Sequence, residues 1–564
     1  MAELSRKKRY LSRYEALKRK REPKMAVWRA LSEQLSPHRF KDGMDDDPAA
    51  RSRWAAIINN TPVLALRTLA AGMMTGITSP ARRWFRLTVA DPKLGRLTSV
   101  REFLYEVERR MEEVFARSNI YNVLFEIYED LGSLGPAVLV IDEDEEDVIR
   151  AYSLLAGTYC LAANSRRRVD TLYREVVMTV EAIEEKFGLE NASESLRKLR
   201  TENRLDEDVL LLHVVEPDRQ FDGRLLGEHR FPYRSVWLEL EKNRDDLILH
   251  EGGQFSQPFV ASRWAGDEYG YSPGMLTLGD AKGLQQLELD KAKASRKVTD
   301  PPMKAPDNLR TGRVSLVPGD ITRYPRGMGA DSITPAQVLP PAAITIFDNS
   351  INNHEERVNA GLYANLWVSL LAREGQPLTA REVAERHQEK LLQLGGVVER
   401  LNDELLDPLV DRVFDIMLRS GELPPAPPEL EGMPLQVEYL SIVTQAQRMV
   451  GYSGVQEFLN AALGLAGADS TVADRVDLDA AISIIAEMLG VPPAIVRSLE
   501  AVEQIRQQRA QQQQQQRALE AGAQVAQSAR DLGQVDMTDD NAASRLIEQL
   551  SPVAAAQVGK GQPG

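Results

Sequence analysis

Apolar side chains recur at helical spacing through the middle of the chain, and this pattern predicts two helices with a non-helical insert between them. The first helix is expected at Leu276–Val298, where one apolar face is interrupted by Lys291. The second is expected from Ala342 to about Leu362, with apolar side chains three, four or seven residues apart. The insert, Thr299–Pro341, contains eight prolines, and this density excludes a helix.

A third and much longer helix is predicted at Thr379–Gly421, after a loop. Thr379 and Glu382 have the spacing of a capping box, and Gly421 is a natural C-cap. About 40 residues at 1.5 Å each would make a rod of roughly 60 Å. Paired glycines at Gly395 and the proline at Pro408 are expected to bend it.

The N-terminal stretch Met1–Lys41 is strongly basic, and its apolar residues have helical spacing. One interpretation is an arm that binds nucleic acid or an acidic partner. The other, which we favour, is a solvated helix packed on an acidic neighbouring subunit.

Residues 50 to 275 combine helices with short strands. Helices are predicted at Val63–Met74, Val100–Arg117, Val123–Gly132 and Glu181–Leu199. Strands are predicted where β-branched and aromatic residues cluster: Trp84–Val89, Ala137–Ile141, Arg150–Leu155, Val169–Val180, Val209–Val215, Ser235–Glu241 and Ile248–Glu251. The acidic run Asp142–Asp147 has no glycine for the sharp turn of a Ca²⁺ loop, so a solvated hairpin tip is the preferred interpretation.

The C-terminal third is expected to be helical after a short strand at Leu435–Leu440. The glutamine run Gln511–Gln516 is a poor core-builder, so it is either disordered or part of a polar-walled helical barrel shared by several copies. The fold class that these patterns predict is α+β and mainly α. After Asp531 the chain is expected to be mobile.

Composition narrows the class of protein. A chain of 564 residues with 43% hydrophobic residues is long enough for several domains. The net charge of −14 argues against tight, indiscriminate DNA binding, which depends on Lys and Arg neutralising phosphates. The single cysteine, Cys160, excludes an intramolecular disulfide and fits a reducing compartment. With no apolar run of 18 residues and no signal core, we expect a soluble protein made in the cytoplasm.

Catalytic signatures are not found in the sequence. There is no phosphate-binding loop of the G-x-x-x-x-G-K-[ST] form and no G-x-S-x-G elbow. His354-Glu355 begins like a zinc-protease helix, but the second histidine is missing. We therefore expect no metal, no cofactor and no enzymatic activity.

Two ordered blocks stand out, the first Ala65–Met74 with Trp84–Leu87 and the second from Leu124 to Leu139. They resemble blocks of the portal, or head-to-tail connector, proteins of short-tailed bacteriophages. The third, Gly266–Pro273, is similar to a Gly-Glu-x-Tyr-Gly-Arg-Ser-Pro motif, although Tyr271 stands where Arg is usual and Asp267 is extra or shifted. The resemblance covers roughly residues 50 to 420 and is carried by the order of the blocks.

The resemblance implies a ring of identical subunits, usually twelve, at one capsid vertex, through which double-stranded DNA is packaged and ejected. It also implies the parts of the subunit: wing 1–275, stem helices 276–298 and 342–362, clip 299–341, tunnel loop 363–378, long helix with return strand 379–440, crown or barrel 441–530, and tail 531–564. The implied partners are capsid and scaffolding proteins, a terminase motor, and tail adaptor or nozzle proteins, without a membrane. The implied location is the virion, after assembly in the host cytoplasm.

The two stem helices independently favour a ring, because they lack enough apolar partners to be buried as a lone hairpin. Repeated contact between two different faces closes a ring. Twelve helices about 10 Å apart would enclose a hole of roughly 28 Å, wide enough for a DNA duplex.

Candidate DNA-contacting residues follow from this arrangement. On the first stem helix they are cationic, and Gln285 and Gln286 lie beside them off the apolar stripe. The full set of channel candidates is Lys282, Lys291, Lys293, Arg296, Lys297, Trp367, Arg373 and Glu374. The clip candidates for docking tail or motor proteins are Arg310, Arg313, Arg323 and Arg326.

Each assignment has a structural alternative. The stem cations are equally suited to intersubunit pairing with acids, namely Asp280, Glu288, Asp290 or Glu355. Trp367 and Leu370 are somewhat better suited to packing under the long helix. For the whole chain, the alternatives are a metal-dependent hydrolase and a non-channel helical scaffold.

Overall fold

The structure is a computed structural model of the chain. It describes residues 6–42, 54–91, 93–222, 230–240, 247–304, 334–335, 340, 342–371, 394–430, 435–439, 454–462, 464–465, 476–488, 495 and 499–532. These residues belong to two compact units, Met1–Gly454 and Val455–Gly564.

The main core of the first unit is helical and contains the predicted helices of the N-terminal half. Their buried faces meet around side chains such as Leu69, Met111 and Leu124, which are essentially inaccessible to solvent. The helices are α2 (Thr61–Gly76), α3 (Thr98–Arg117) and α4 (Ile120–Ser133). Helix α1 (Arg6–Gln34) packs in two other clusters, through side chains such as Trp28 and Tyr14. A two-stranded sheet joins the main core, with β1 (Phe85–Val89) antiparallel to β12 (Leu435–Tyr439). Both strands were predicted, but their pairing was not.

A three-stranded antiparallel sheet with the order β3-β2-β9 lies against the same core. Its strands are β2 (Pro136–Asp144), β3 (Val148–Ser153) and β9 (Phe259–Arg263). The acidic run forms the β2–β3 hairpin tip, which confirms that interpretation. Strand β9 was not predicted, because its apolar run ends after Phe259, Val260 and Ala261.

A five-stranded antiparallel sheet with the order β4-β5-β6-β7-β8 forms the second layer. Leu212 and Val214 face Tyr14 of α1, whereas Leu211 faces the helices on the other side, as the two-residue period of a strand requires. The strands are β4 (Tyr159–Ala163), β5 (Val169–Thr179), β6 (Asp208–Pro217), β7 (Tyr233–Glu239) and β8 (His250–Gln254). Strand β4 is a second strand that the sequence analysis missed.

The helix predicted at Glu181–Leu199 is two helices, so that prediction was wrong in its continuity. Helix α5 (Val180–Phe187) ends at Gly188, whose φ of 70° lies in the left-handed region that glycine tolerates. Helix α6 (Glu194–Thr201) restarts the chain, and the Ser193 hydroxyl caps it by accepting a hydrogen bond from the Leu196 N–H.

The basic helix α1 pairs its charges within its own chain. Lys20 lies 2.7 Å from Glu268, and Arg13 lies 2.6 Å from Glu216. The favoured interpretation placed the acidic surface on a neighbouring subunit. The structure corrects it, because these acids belong to the same protomer.

The two predicted stem helices are present as α7 (Pro273–Thr299) and α8 (Ala342–Gly361). Helix α7 begins earlier than predicted, because the Ser272 hydroxyl accepts a hydrogen bond from the Met275 N–H and Pro273 occupies the first turn. Between them, the described part of the insert 299–341 contains a short antiparallel pair, β10 (Met303–Lys304) and β11 (Thr334–Pro335).

The segment predicted as a tunnel loop contains a helix, α9 (Ala364–Leu371), directly after α8. The prediction of a loop was therefore wrong over these residues, because Leu366 and Trp367 of α9 pack in the main core. The start of the long helix at Thr379 lies outside the described residues. Its described part is interrupted: α10 (Gly395–Leu401), a π-helical turn (Asn402–Leu406) before Pro408, and α11 (Asp407–Ser420). Gly421, with φ of 76°, is the predicted C-cap.

In the second unit the described residues are largely helical. Residues 455–462 form a helix, followed along the chain by α12 (Leu478–Met488) and α13 (Leu499–Leu532). The glutamine run lies inside α13, so it is helical and the disordered alternative does not hold.

Candidate functional site

The stem hairpin, defined as α7 and α8, is held together by close approach of the two helices. A Cβ on Gly361 would lie 2.2 Å from Thr277 Cγ2, and one on Gly283 would lie 3.1 Å from His354 Nε2. These glycines therefore allow an approach that larger residues would prevent.

The hairpin is clamped to the start of α2 by a buried amide. The Gln285 side-chain oxygen accepts hydrogen bonds from the Ile58 N–H at 2.8 Å and the Asn59 N–H at 2.9 Å, and its amide donates to the Asn59 carbonyl at 2.8 Å. Gln285 is 8% exposed. The sequence placed it off the apolar stripe, and the structure corrects this, because the amide pairs with backbone instead of solvent.

Asn59 extends the clamp to both stem helices. Its side-chain amide donates to Glu288 at 3.0 Å and to Glu355 at 2.9 Å. Glu355 also accepts a hydrogen bond from the Thr61 hydroxyl at 3.1 Å. Both carboxylates thus lie at the N-terminus of α2, where the helix dipole favours negative charge. Local sequence patterns could not predict this cluster, because Asn59 and Thr61 lie more than 200 residues before both carboxylates.

A second anchor fixes the start of α7 to the end of α4. The Ser272 hydroxyl donates to the Ser133 carbonyl at 2.6 Å, and both side chains are fully buried. A Cβ on Gly274 would lie 2.6 Å from the same carbonyl. The base of the hairpin is therefore held at two points on the helical core.

Two of the five stem cations are paired within the chain. Lys291 Nζ lies 2.7 Å from Asp348 of α8, and the hydrogen bond to this carboxylate raises the pKa of the lysine. Lys293 lies 3.2 Å from Asp290 one turn away, and hydrogen bonds from Gln286 and Lys293 lower the pKa of that carboxyl. These cations have acidic neighbours in their own protomer.

The remaining three, Lys282, Arg296 and Lys297, are exposed, and no ion pair joins them to any residue that the structure describes. Leu276 and Leu289 of the same helix are also exposed, to 74% and 40%. The exposed surface of α7 therefore combines positive charge with apolar side chains.

Trp367 is 3% exposed and lies in the main core. Its indole packs on α2, where a Cβ on Gly72 would come within 2.2 Å of the ring and one on Gly76 within 2.8 Å. The ring is therefore buried, as the structural alternative expected, and α2 is one of the elements against which it packs. The other loop candidates, Arg373 and Glu374, and the clip candidates Arg310, Arg313, Arg323 and Arg326 lie outside the described residues.

The described residues hold no grouping of three or more His, Cys, Asp or Glu suited to a metal ion. Across the same ranges, no helix is both long enough and apolar enough to cross a membrane.

Comparison with known proteins gives a consistent result. A family described as "Bacteriophage head to tail connecting protein" matches residues 7–496. The chain is 37% identical to a portal protein of Salmonella phage epsilon15, over 96% of this chain and 98% of that protein. It is 36% identical to a probable portal protein of Bordetella phage BPP-1, over 98% of this chain and all of that protein. It is 24% identical to a portal protein of Enterobacteria phage T3 over 64% of this chain and 66% of that protein.

Proposed function

Because the chain belongs to the bacteriophage head to tail connecting protein family, we propose that its copies close into a ring-shaped channel at one vertex of a phage capsid. Double-stranded DNA would enter the capsid through this ring during packaging and leave through it during ejection. The role is structural, and ATP hydrolysis would belong to a separate terminase motor.

The observation that carries this proposal is the exposed apolar surface of the stem hairpin. Helices of 27 and 20 residues are anchored to the core at their base, yet Leu276 is 74% and Ile346 is 68% exposed. Packing each hairpin against the hairpin of the next subunit would cover this surface. A contact between two different faces, repeated with closure, gives a ring.

We propose twelve subunits, with α7 and α8 as the stem and residues 299–341 as the clip. Twelve helices about 10 Å apart leave a hole of roughly 28 Å. Residues 1–275 would form the wing, and α12 and α13 would belong to a crown or barrel. Capsid and scaffolding proteins would surround the wing, and the clip arginines would meet tail proteins or the motor.

Lys282, Arg296 and Lys297 are the stem cations we propose to touch DNA phosphates transiently. Lys291 and Lys293 contribute less, since carboxylates in the same chain neutralise them. Arg373 and Glu374 stay predictions for contact with DNA. Weak, non-specific contacts suit a channel, because strong phosphate binding would hold the DNA in place.

Mass photometry and axial negative-stain images of purified protein test the ring. We expect a species near twelve chains with a central hole. A well-folded single chain would contradict the proposal and favour the helical scaffold. Stoichiometric bound metal together with hydrolytic turnover would favour the metal-dependent hydrolase instead.

A variant with Lys282→Gln, Arg296→Gln and Lys297→Gln tests the DNA contacts. Rings should form as in the wild type, while the rate of DNA ejection or the yield of filled particles changes. The matched control is Lys293→Gln, which removes a cation that already has a carboxylate partner. Equal effects of the triple variant and the control would contradict the assignment.

A further inference from the structure

Two charged turns lie outside the stem hairpin. The arginine turn, Asn164–Arg168, joins β4 to β5 and carries Arg166, Arg167 and Arg168 in succession. The acidic turn, Asp144–Asp147, joins β2 to β3. The sequence analysis singled out only the second.

Hydrogen bonds order the backbone of the arginine turn. The Asn164 side chain accepts hydrogen bonds from the Arg166 N–H at 2.9 Å and the Arg168 N–H at 3.2 Å, and Arg167 adopts φ of 61°. Arg263 donates to the Arg167 carbonyl at 3.1 Å. Arg168 is close enough to Asp407 to oppose the rise that burial causes in the pKa of that carboxyl. The Arg166 and Arg167 side chains are exposed, with no ion pair to any described residue.

The acidic turn is similarly ordered. The Asp144 carboxylate accepts hydrogen bonds from the Glu146 N–H at 2.9 Å and the Asp147 N–H at 2.8 Å. Arg117 lies 3.7 Å from Asp147. Glu145 and Glu146 are exposed and, among the residues the structure describes, have no cationic partner.

The two turns lie at opposite ends of the three-stranded sheet. Arg263, which holds the arginine turn, pairs with Pro136 at the start of β2, and the acidic turn follows the other end of that strand. The nine residues of β2 span roughly 26 Å. The long helix gives a similar distance between the two turns. Glu404 of this helix contacts Arg263 beside the arginine turn, and Arg419 contacts Glu143 beside the acidic turn. Glu404 and Arg419 are 15 residues apart, which corresponds to about 22 Å along a helix.

We propose that Arg166 and Arg167 of one subunit bind Glu145 and Glu146 of the next copy, which forms a second, charge-paired contact of the ring. This inference rests on the proposed ring and names a contact in it outside the stem. Opposite charges at two separated positions of one subunit are complementary between copies, and in the proposed ring each copy meets the next head to tail. Head-to-tail contact is the arrangement that closes a ring.

A second copy fits the arginine turn better than nucleic acid does. The chain carries a net charge of −14, so its own surface supplies acidic partners in every assembly. Two outward arginines at a hairpin tip offer few phosphate contacts, and affinity for DNA grows with the number of phosphates neutralised. Binding of the turn to DNA is therefore treated as an outcome of the test.

The test is charge reversal with rescue in the full-length chain. Arg166→Glu/Arg167→Glu and, separately, Glu145→Lys/Glu146→Lys should each lower the fraction of chains in rings by about tenfold near the assembly midpoint at low salt. The chain with all four changes should recover rings, because opposite charges again meet. Lys198→Glu/Arg219→Glu, two exposed cations outside both turns, is the control and should leave assembly unchanged.

Circular dichroism on each variant separates a lost contact from a misfolded chain, and recovery in the fourfold variant does so independently. Normal rings from Arg166→Glu/Arg167→Glu would overturn the inference while leaving the proposed function intact. Normal rings with weaker, salt-dependent DNA retention would likewise overturn it and assign the turn to nucleic acid. If the wild type itself formed no rings, the proposed function would fail first.

Discussion

The indole of Trp367 lies so close to Gly72 that a Cβ at that glycine would be 2.2 Å from the ring. This contact joins α9, which follows the stem hairpin, to α2 in the helical core. It places Trp367, which was both a channel candidate and a candidate for packing, inside the protein.

Gly72→Ala should therefore destabilise the protomer by about 1–3 kcal/mol, because the new methyl group overlaps a large, enclosed ring. Urea unfolding monitored by circular dichroism measures the change. Gly396→Ala is the control, since nothing lies within 4 Å of a Cβ there. Combining Gly72→Ala with Trp367→Leu should cost less than the two single changes added together. Simple additivity would show that the two residues do not share the space.

Gln285→Leu should weaken the attachment of the stem hairpin to α2. Two backbone N–H groups would lose their acceptor, at about 1–3 kcal/mol for each group left unsatisfied. The neighbouring Gln286→Leu is the matched control, because Gln286 is exposed and, among the described residues, its amide donates to Asp290 on the same helix. Thermal unfolding gives the melting temperatures of both variants, and we expect the lower value for Gln285→Leu. Equal melting temperatures would mean that the buried amide contributes nothing.

Glu108 should make stability depend on pH. Burial raises the pKa of its carboxyl to about 7, although the Leu87 N–H and Arg83 oppose the rise. The folded state thus binds this proton more tightly than the unfolded state, where the pKa is near 4.5. The stabilisation is complete below pH 4.5 and is lost as the pH rises through 7, a change of about 3 kcal/mol.

Glu108→Gln removes this titration and keeps an acceptor for the Leu87 N–H. The unfolding free energy of the wild type minus that of the variant should therefore decrease between pH 4.5 and 7.5 and then level off. Chemical denaturation at a series of pH values gives the curve. A difference that stays flat across this window would contradict the raised pKa.

Cys160 should react with thiol reagents only when the protein unfolds. The side chain is fully buried, and burial raises the pKa of its thiol to about 11. At pH 8 we expect a thiol-disulfide reagent to react at least about 100-fold more slowly than with free cysteine, since the thiolate is the reactive form. Absorbance of the thiol that the reagent releases reports the rate, and Cys160→Ser gives the blank. Rapid reaction of the native protein would show that the five-stranded sheet around Cys160 opens readily.

The sequence alone determined the helices and several of their ends. The apolar stripes of α7 and α8 predicted both stem helices, and Gly421 predicted the C-cap of the long helix. These features were readable because helical periodicity and a left-handed cap depend on residues close together in the chain. The ordered blocks also identified the family.

Tertiary structure decided which side chains are covered and by what. Periodicity shows that one side of a helix is apolar, but it does not show which element packs there. A loop was thus expected where α9 carries Trp367 into the core. Gln285 was placed only off the apolar stripe, and its burial was not predicted, because its backbone partners, Ile58 and Asn59, lie more than 200 residues away. A polar side chain becomes a buried anchor only when folding brings a matching partner to it, and that partner leaves no mark in the local sequence.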